Sequence, residues 1–229
     1  MIELNGVRLT PDLSGALFWE DASTLVVADL HFEKASSFAE RGQPLPPYDT
    51  ATTLAALSEA MDRMGPRRVI CLGDSFHDPR AGGRLQHGDA QTLRALTGRA
   101  DWIWVAGNHD PDPPEDLGGA VVHDFCLGPL TFRHIARPDA TPGEISGHFH
   151  PKASVPTRWR SVVRPCFAIN ATRVILPAFG AFTGGLNVRD PAIASLLVPE
   201  FEVVVLGQGK LHRFPHSALD LDIAPYNFK

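Results

Sequence analysis

Arg67-Arg68-Val69-Ile70-Cys71-Leu72-Gly73-Asp74 is a short apolar run, with two β-branched residues, that stops at a glycine and then an acid. Its length and composition predict a buried strand. The acid then stands at the strand's C-terminal end, which in an α/β sheet faces the crevice where ligands bind. Gly73 lacks a Cβ, so backbone and ligand can approach closely beside it. Asp74 is therefore the first candidate functional residue.

The same pattern recurs on both sides. Thr24-Leu25-Val26-Val27-Ala28 is a predicted strand ending in Asp29-Leu30-His31, and Trp102-Ile103-Trp104-Val105-Ala106 is one ending in Gly107-Asn108-His109-Asp110. A helix is predicted over 33–41, stopping at Gly42, and another near residues 90–96. A longer one runs from about Asp49 to Met64, with Leu54, Leu57, Met61 and Met64 on one face and Gly65-Pro66 as its stop. Strands alternating with helices predict a parallel sheet with its site along one edge.

Ahead of this unit, residues 2–9 and 16–20 are predicted as two strands joined by a turn around Pro11-Asp12. Beyond a loop over 111–118, rich in proline and acids, the pattern changes to short strands at 120–125, 130–134, 144–147, 164–170, 173–177 and 201–206. They predict a second, largely antiparallel sheet packed on the first. The whole chain, 1–229, is expected to form one domain, with 208–229 a C-terminal hairpin and irregular tail.

Composition narrows the function classes. The 229 residues, 44% hydrophobic, can bury a substantial core. Lys and Arg number 21 against 26 Asp and Glu, so the formal charge is −5, which argues against a large, indiscriminate polyanion-binding surface while leaving room for a local basic groove. Cys71, Cys126 and Cys166 are widely spaced, odd in number and free of C-x-x-C, so all three are expected to be buried thiols in a reducing compartment. No apolar run approaches the ~20 residues of a membrane helix, and the N-terminus shows no basic-then-apolar leader pattern, which predicts a cytoplasmic protein without membrane contact.

Four clusters end predicted strands: Asp29-Leu30-His31, Gly73-Asp74, Gly107-Asn108-His109-Asp110 and Gly147-His148-Phe149-His150. A single Asp-x-His or His-x-His pair is also what a solvent-facing strand shows, because residues two apart share a face. Four of them, each after an apolar strand, point instead to convergence. Asp, Asn and His offer hard oxygen and borderline nitrogen donors, which suit manganese, iron or zinc better than calcium or Cu(I). A carboxylate shared by two such ions allows the ~3.5–4 Å separation that clamps an in-line displacement at phosphorus.

The order D-x-H, G-D, G-N-H-D, H, G-H-x-H resembles the calcineurin-like metallophosphoesterase superfamily over about residues 24–152. Gly42-Gln43-Pro44-Leu45-Pro46, Gly73-Asp74-Ser75-Phe76-His77 and Leu176-Pro177-Ala178-Phe179-Gly180-Ala181-Phe182-Thr183-Gly184-Gly185 are further similar to the ligase-associated DNA damage response endonucleases, the PdeM group. The resemblance implies an α/β four-layer sandwich, two packed mixed sheets flanked by helices. It implies two divalent ions, manganese first, with iron, zinc or mixed occupancy as alternatives. One would be held by Asp29, His31, Asp74 and His150, and the other by Asp74, Asn108, His148 and an intervening histidine, His134 in preference to His123.

In the resemblance His109 binds no metal but assists the leaving group, and its usual partner is an acid at the position occupied here by His77. Asp78 or Asp110 would then have to orient it. Lys34, Arg80 and Arg84 are candidate phosphate contacts, and Arg158, Arg160, Arg164 and Arg173 around Trp159 a candidate strip for a nucleic-acid backbone. The implied reaction is attack of a metal-bound hydroxide on phosphorus, with a phosphodiester as substrate, single-stranded DNA foremost, and DNA repair proteins as partners. A small-molecule phosphodiesterase, pyrophosphatase or monoesterase is the alternative, and a metal-bearing nucleic-acid scaffold without turnover is the non-enzyme reading. The sequence assigns no oligomeric state.

Overall fold

The computed structural model describes residues 1–220. Strands β1 (Ile2–Leu4), β2 (Val7–Pro11), β3 (Leu17–Trp19) and β4 (Thr24–Val27) form an antiparallel meander. Helices α1 (Lys34–Glu40) and α2 (Asp49–Met64), strand β5 (Arg68–Leu72), helices α3 (Ala81–Arg84) and α4 (His87–Thr97), and strands β6 (Asp101–Val105) and β7 (Ala120–Val122) follow. From β4 to β7 neighbours are parallel, completing a seven-stranded sheet in chain order.

The second sheet takes β8 (Asp124–Leu127), β9 (Leu130–Arg133), β10 (Glu144–Ser146), β11 (Lys152–Pro156), β12 (Ser161–Ile169) and β13 (Arg173–Ile175). After α5 (Pro191–Ala194) come β14 (Glu202–Leu206) and β15 (Leu211–Pro215). Its order is β15-β14-β12-β13-β10-β9-β8, with β11 paired to β12 off that path. β10 is parallel to both β9 and β13, so the sheet is mixed rather than simply antiparallel.

Strand alternation explains the layers. On β4, β5 and β6, Val26, Ile70, Leu72, Ile103 and Val105 point between the sheets, where they meet Phe132, Ile145, Phe167 and Val174. Their neighbours Leu25, Val27, Val69, Cys71, Trp102 and Trp104 point the other way, onto Leu54, Leu57, Met61 and Leu93 of α2 and α4. Cys166, Ala168, Ile175, Val203 and Val205 face outward from the second sheet and are covered by Val188, Ile193 and Leu197. The architecture is therefore helices, sheet, sheet and a thin helical cover. Truncating Phe132, fully buried between the sheets, to alanine should remove about 3–5 kcal/mol.

Three expectations need correction. Residues 2–9 are a hairpin rather than one strand, because Asn5 (φ 48°) and Gly6 (φ 79°) both take the left-handed conformation of a two-residue turn. β11 had no periodic signal. Cys126 is exposed, unlike Cys71 and Cys166, because β8 is an edge strand and Cys126 lies on its outer face while Phe125 and Leu127 pack inward. Of the segment 208–229, expected as a hairpin and tail, β15 is the strand among the described residues, and it pairs with β14 ahead of that segment; residues 221–229 lie outside the described residues.

Candidate metal centre

The strand-end residues are held in an uncommon backbone. Asp29, His31, Asp74, His148 and His150 all have left-handed φ values, between 46° and 72°. Such non-glycine residues are strained by roughly 1–3 kcal/mol each and persist only where the surroundings over-determine them. Here the two loops after β4 and β5 hold each other. The N–H groups of Asp29, His31 and Phe32 donate to the carbonyls of Gly73 (3.2 Å), Asp74 (2.9 Å) and Ser75 (2.8 Å), and His77 N–H donates back to Phe32 (2.9 Å). At the start of α1, Asp49 from the next helix accepts the Ala35 N–H at 2.8 Å, supplying the cap that Glu33 does not.

Close approach fixes two glycines. A Cβ on Gly107 would lie 2.2 Å from the Asp74 nitrogen, and one on Gly147 would lie 2.7 Å from an Asp29 carboxylate oxygen. The G-N-H-D and G-H-x-H turns thus pack directly on the two carboxylates. The later stretch around Phe179 and Gly180 does the same from behind, donating N–H groups to Ala28 (2.8 Å) and Asp29 (3.2 Å).

The structure brings six of the expected ligands into two groups, Asp29 with His31 and His150, and Asp74 with His134 and His148, each with donor atoms within 4.8 Å of one another. His31 and His150 face each other through Nε2 at 3.2 Å, and His150 Nε2 is 3.4 Å from Asp29 Oδ1. Donors about 2.0–2.1 Å from a shared ion stand about 2.9–3.4 Å apart in octahedral to tetrahedral geometry, so these spacings fit one. Asn108 joins the second group: its Oδ1 lies 2.9 Å from His134 Nε2. His134 Nε2 also faces His148 Nδ1 (3.1 Å) and Asp74 Oδ1 (3.3 Å), while its Nδ1 donates to the Leu72 carbonyl at 2.8 Å. His123 is outside both groups but lines a cavity of about 410 Å³ beside Asn108 and His134.

Charge sets the chemistry. Asp29 and Asp74 are 0% and 2% exposed, and among the described residues neither has a lysine or arginine within ion-pair distance. Burial, and then the charge of His150, press the His31 pKa down to about 2; burial and then His134 lower His148. These imidazoles stay neutral and do not balance the carboxylates. Burial also works against a proton on His134, yet hydrogen bonding to Asp74 and the charge of Asp29 outweigh it and raise its pKa, so this point of the site favours positive charge. Burial would raise the Asp74 carboxyl, but hydrogen bonds from His134 and the His109 N–H hold it well below the usual range, and the O/N donors around the two carboxylates suit divalent first-row ions. The residues fit a pair of such cations.

His109 stands at the edge of the centre, its side chain 44% exposed. Its Nδ1 donates to the His77 main-chain carbonyl at 3.0 Å, its N–H donates to Asp74 Oδ1 at 2.9 Å, and its Nε2 faces Asp74 Oδ2 at 4.0 Å. Neither acid expected to orient it does so. Asp78 is held by Arg84 at 2.7 Å, and Asp110 is buried, accepting the Phe76 N–H at 3.0 Å. Burial, only partly offset by that hydrogen bond, raises the Asp110 pKa to about 7. The His77 ring stacks on His109 with centroids 5.5 Å apart, and burial, then Lys34 and His109, lower its pKa to about 4. It is a neutral wall.

Among the proposed phosphate contacts, Arg84 is taken up by Asp78 and Ser36, and Arg80 pairs with Glu40 at 3.2 Å. Lys34 lies over the Phe38 ring, its pKa lowered by burial, raised by Asp49 and lowered again by the charge of Lys152. Lys152 therefore shares this rim and was missed in the sequence, where its only signal is a position two residues after His150.

No family model matches the chain, and no curated protein matches it. Among solved structures, the Pseudomonas putida nuclease MPE superposes with a TM-score of 0.73 over 93% of this chain and 98% of that one, at 29% identity. The E. coli phosphoesterase Yfce aligns over 86% of this chain and 99% of that one, but with a TM-score of 0.40 and 12% identity it carries no weight. The chain has a metallophosphoesterase-type α/β sandwich, and its strand ends carry two candidate metal groups.

Proposed function

We propose that the protein is a dinuclear metal-dependent phosphoesterase that cleaves phosphodiesters, with nucleic acid as its natural substrate. The observation that carries this reading is the pair of buried carboxylates, Asp29 and Asp74, surrounded by converging imidazoles and, among the described residues, with no lysine or arginine within ion-pair distance. The similarity to a nuclease over nearly the whole of both chains supports the substrate class. The sequence resemblance to ligase-associated endonucleases adds single-stranded DNA as the preferred form and repair proteins as partners.

In this reading Asp29, His31, Asp74 and His150 would hold one ion, and Asp74, Asn108, His134 and His148 would hold the other. Manganese is the first choice. When bound, such ions neutralise charge at phosphorus and make water nucleophilic near neutral pH. His109 serves the leaving group: with Nδ1–H fixed on the His77 carbonyl, Nε2 is the ring nitrogen left to face the departing oxygen. A main-chain carbonyl thereby does the orienting that an acid does in the wider superfamily. Replacing His109 with Gln should reduce turnover by about 10²-fold without changing metal content.

The test is to supply the purified protein with manganese and offer bis-p-nitrophenyl phosphate, an oligonucleotide, a cyclic nucleotide and a monoester. Faster cleavage of the diester and the oligonucleotide is expected. Absence of turnover with any of several first-row metals would sink the reading, and a preference for the monoester or cyclic nucleotide would replace nucleic acid with a small-molecule substrate.

A further inference from the structure

The hairpin of β11 and β12 is an arm on the rim of the metal centre. Only Cys166–Ile169 of β12 pairs with β14, and only Ala168 and Ile169 pair with β13, whereas Ser161–Pro165 pairs with β11 alone. β12 runs antiparallel to β13, which is parallel to β10, and the C-terminal end of β10 leads straight into Gly147-His148-Phe149-His150. The half of β12 that pairs only with β11 therefore extends past the sheet on the side of the centre. β11 begins two residues after His150, and its five residues span about 15 Å.

The arm is braced at its base and polar at its tip. Cys166 N–H donates to the Pro151 carbonyl (3.0 Å) and Lys152 N–H to Leu186 (2.8 Å) at the base, Asp220 N–H donates to Ser154 (2.9 Å) midway, and nearer the tip the Ser161 hydroxyl donates to the Asp220 carboxylate. The turn Thr157-Arg158-Trp159-Arg160 carries a tryptophan that is 84% exposed, with the Arg158 guanidinium 4.9 Å from its ring centroid. The other three tryptophans, Trp19, Trp102 and Trp104, are buried. Among the described residues neither Arg158 nor Arg160 has a carboxylate within ion-pair distance, unlike the surface arginines Arg63, Arg80 and Arg99.

We propose that this arm docks single-stranded nucleic acid, Trp159 stacking on an unpaired base and Arg158 and Arg160 neutralising the flanking phosphates. A lone exposed aromatic between two cations is the combination that binds single strands, since every base offers a face and every linkage a charge. Duplex bases are already stacked and do not offer that face. Thr157, Arg158, Arg160 and Ser161 are exposed and polar, so the tip lacks the contiguous apolar patch of a protein-docking surface. The link to cleavage rests on the phosphodiesterase reading; strand binding by the arm does not.

The experiment measures binding of a fluorescein-labelled oligothymidylate to the full chain kept in chelator, so that no turnover is needed. Trp159→Ala should weaken binding about ten-fold and Trp159→Phe much less. Replacing Arg158 and Arg160 together with alanine should lower the slope of log affinity against log salt by about 1.4. The strand should also change the tryptophan emission, since Trp159 alone of the four is exposed. With manganese, all variants should retain wild-type turnover of bis-p-nitrophenyl phosphate, which is too small to span arm and centre.

Equal affinity of wild type and Trp159→Ala overturns the proposal. So does duplex binding as tight and as dependent on Trp159 as that of the single strand. A loss of self-association in Trp159→Ala, seen by light scattering with strand affinity unchanged, would assign the tip to a protein interface instead. Absence of turnover by the wild type, with arm-dependent strand binding intact, would end the phosphodiesterase reading and leave the arm standing.

Discussion

β10 serves two clusters of buried charge that are neutralised in opposite ways. Glu144 on this strand is 1% exposed and faces Arg173 at 3.0 Å, its direct register partner on β13, and Arg133 on β9 at 3.3 Å. The Glu144–Arg173 contact is close but poorly aligned for a hydrogen bond, so it acts mainly through charge. Immediately after β10, His148 and His150 join Asp29 and Asp74, carboxylates that face only imidazoles. Buried charge is thus common to both clusters and diagnostic of neither. What separates them is the kind of partner the chain supplies: arginines around Glu144, and metal-ligating imidazoles with main-chain N–H groups around Asp29 and Asp74, a set of donors open to a cation.

The largest expected effect tests that difference from the metal side. Asp74→Asn should lower turnover by well over 10²-fold and reduce bound metal, because changing even the outer partners of ligands costs about 10–100-fold. In chelator the same variant should unfold at a lower urea concentration than wild type, since burial of the Asp74 carboxylate is outweighed by hydrogen bonds from His134 and the His109 N–H, which hold it well below the usual range. Wild-type metal content in Asp74→Asn, measured by elemental analysis, would break the comparison.

Next comes the self-neutralised cluster. Glu144→Gln leaves two arginines, one of them fully buried, without their shared anion, and should cost about 3–5 kcal/mol in urea unfolding. Metal bound per folded molecule should not change. A variant as stable as wild type would show that Arg133 and Arg173 do not depend on Glu144.

Metal itself should discriminate between the two. At a hundred times its dissociation constant, a cation that binds only the folded state adds about 2.7 kcal/mol. Manganese should therefore raise the melting temperature of wild type and of Glu144→Gln alike, and raise that of Asp74→Asn far less. Equal shifts in all three would mean that the ion binds elsewhere.

The two clusters also differ in how well the sequence announced them. Asp29, His31, Asp74, Asn108, His148 and His150 were legible because each sits within a few residues of the end of an apolar strand, so a local pattern carries the information. The fold's parallel half was legible for the same reason. Glu144 with Arg173 was not, because their meeting depends on register between strands nearly thirty positions apart. The orientation of His109 was hidden more deeply, since its partner is a main-chain carbonyl that every residue possesses. β11 was missed because Lys152-Ala153-Ser154-Val155-Pro156 pairs along one edge only and shows no clear alternation; the arm it builds emerges from topology.

A third pair, Asp78 with Arg84, lies between the extremes, and its effect should be the smallest. Burial would raise the Asp78 carboxyl, but hydrogen bonds from Arg84, Ser37 and the Arg80 N–H outweigh it and hold the group well below the usual carboxylate range. A carboxylate depressed on folding contributes stability that is fully present above its unfolded pKa, about 3.9, and is lost as pH falls toward the folded value. The difference in urea midpoint between wild type and Asp78→Asn should thus be constant from neutrality to about pH 5 and shrink below about pH 4. Because every other carboxylate is common to the two proteins, the subtraction isolates this pair even while the metal cluster titrates. A difference that persists unchanged into acid would mean that Arg84 stabilises the loop by packing rather than by charge.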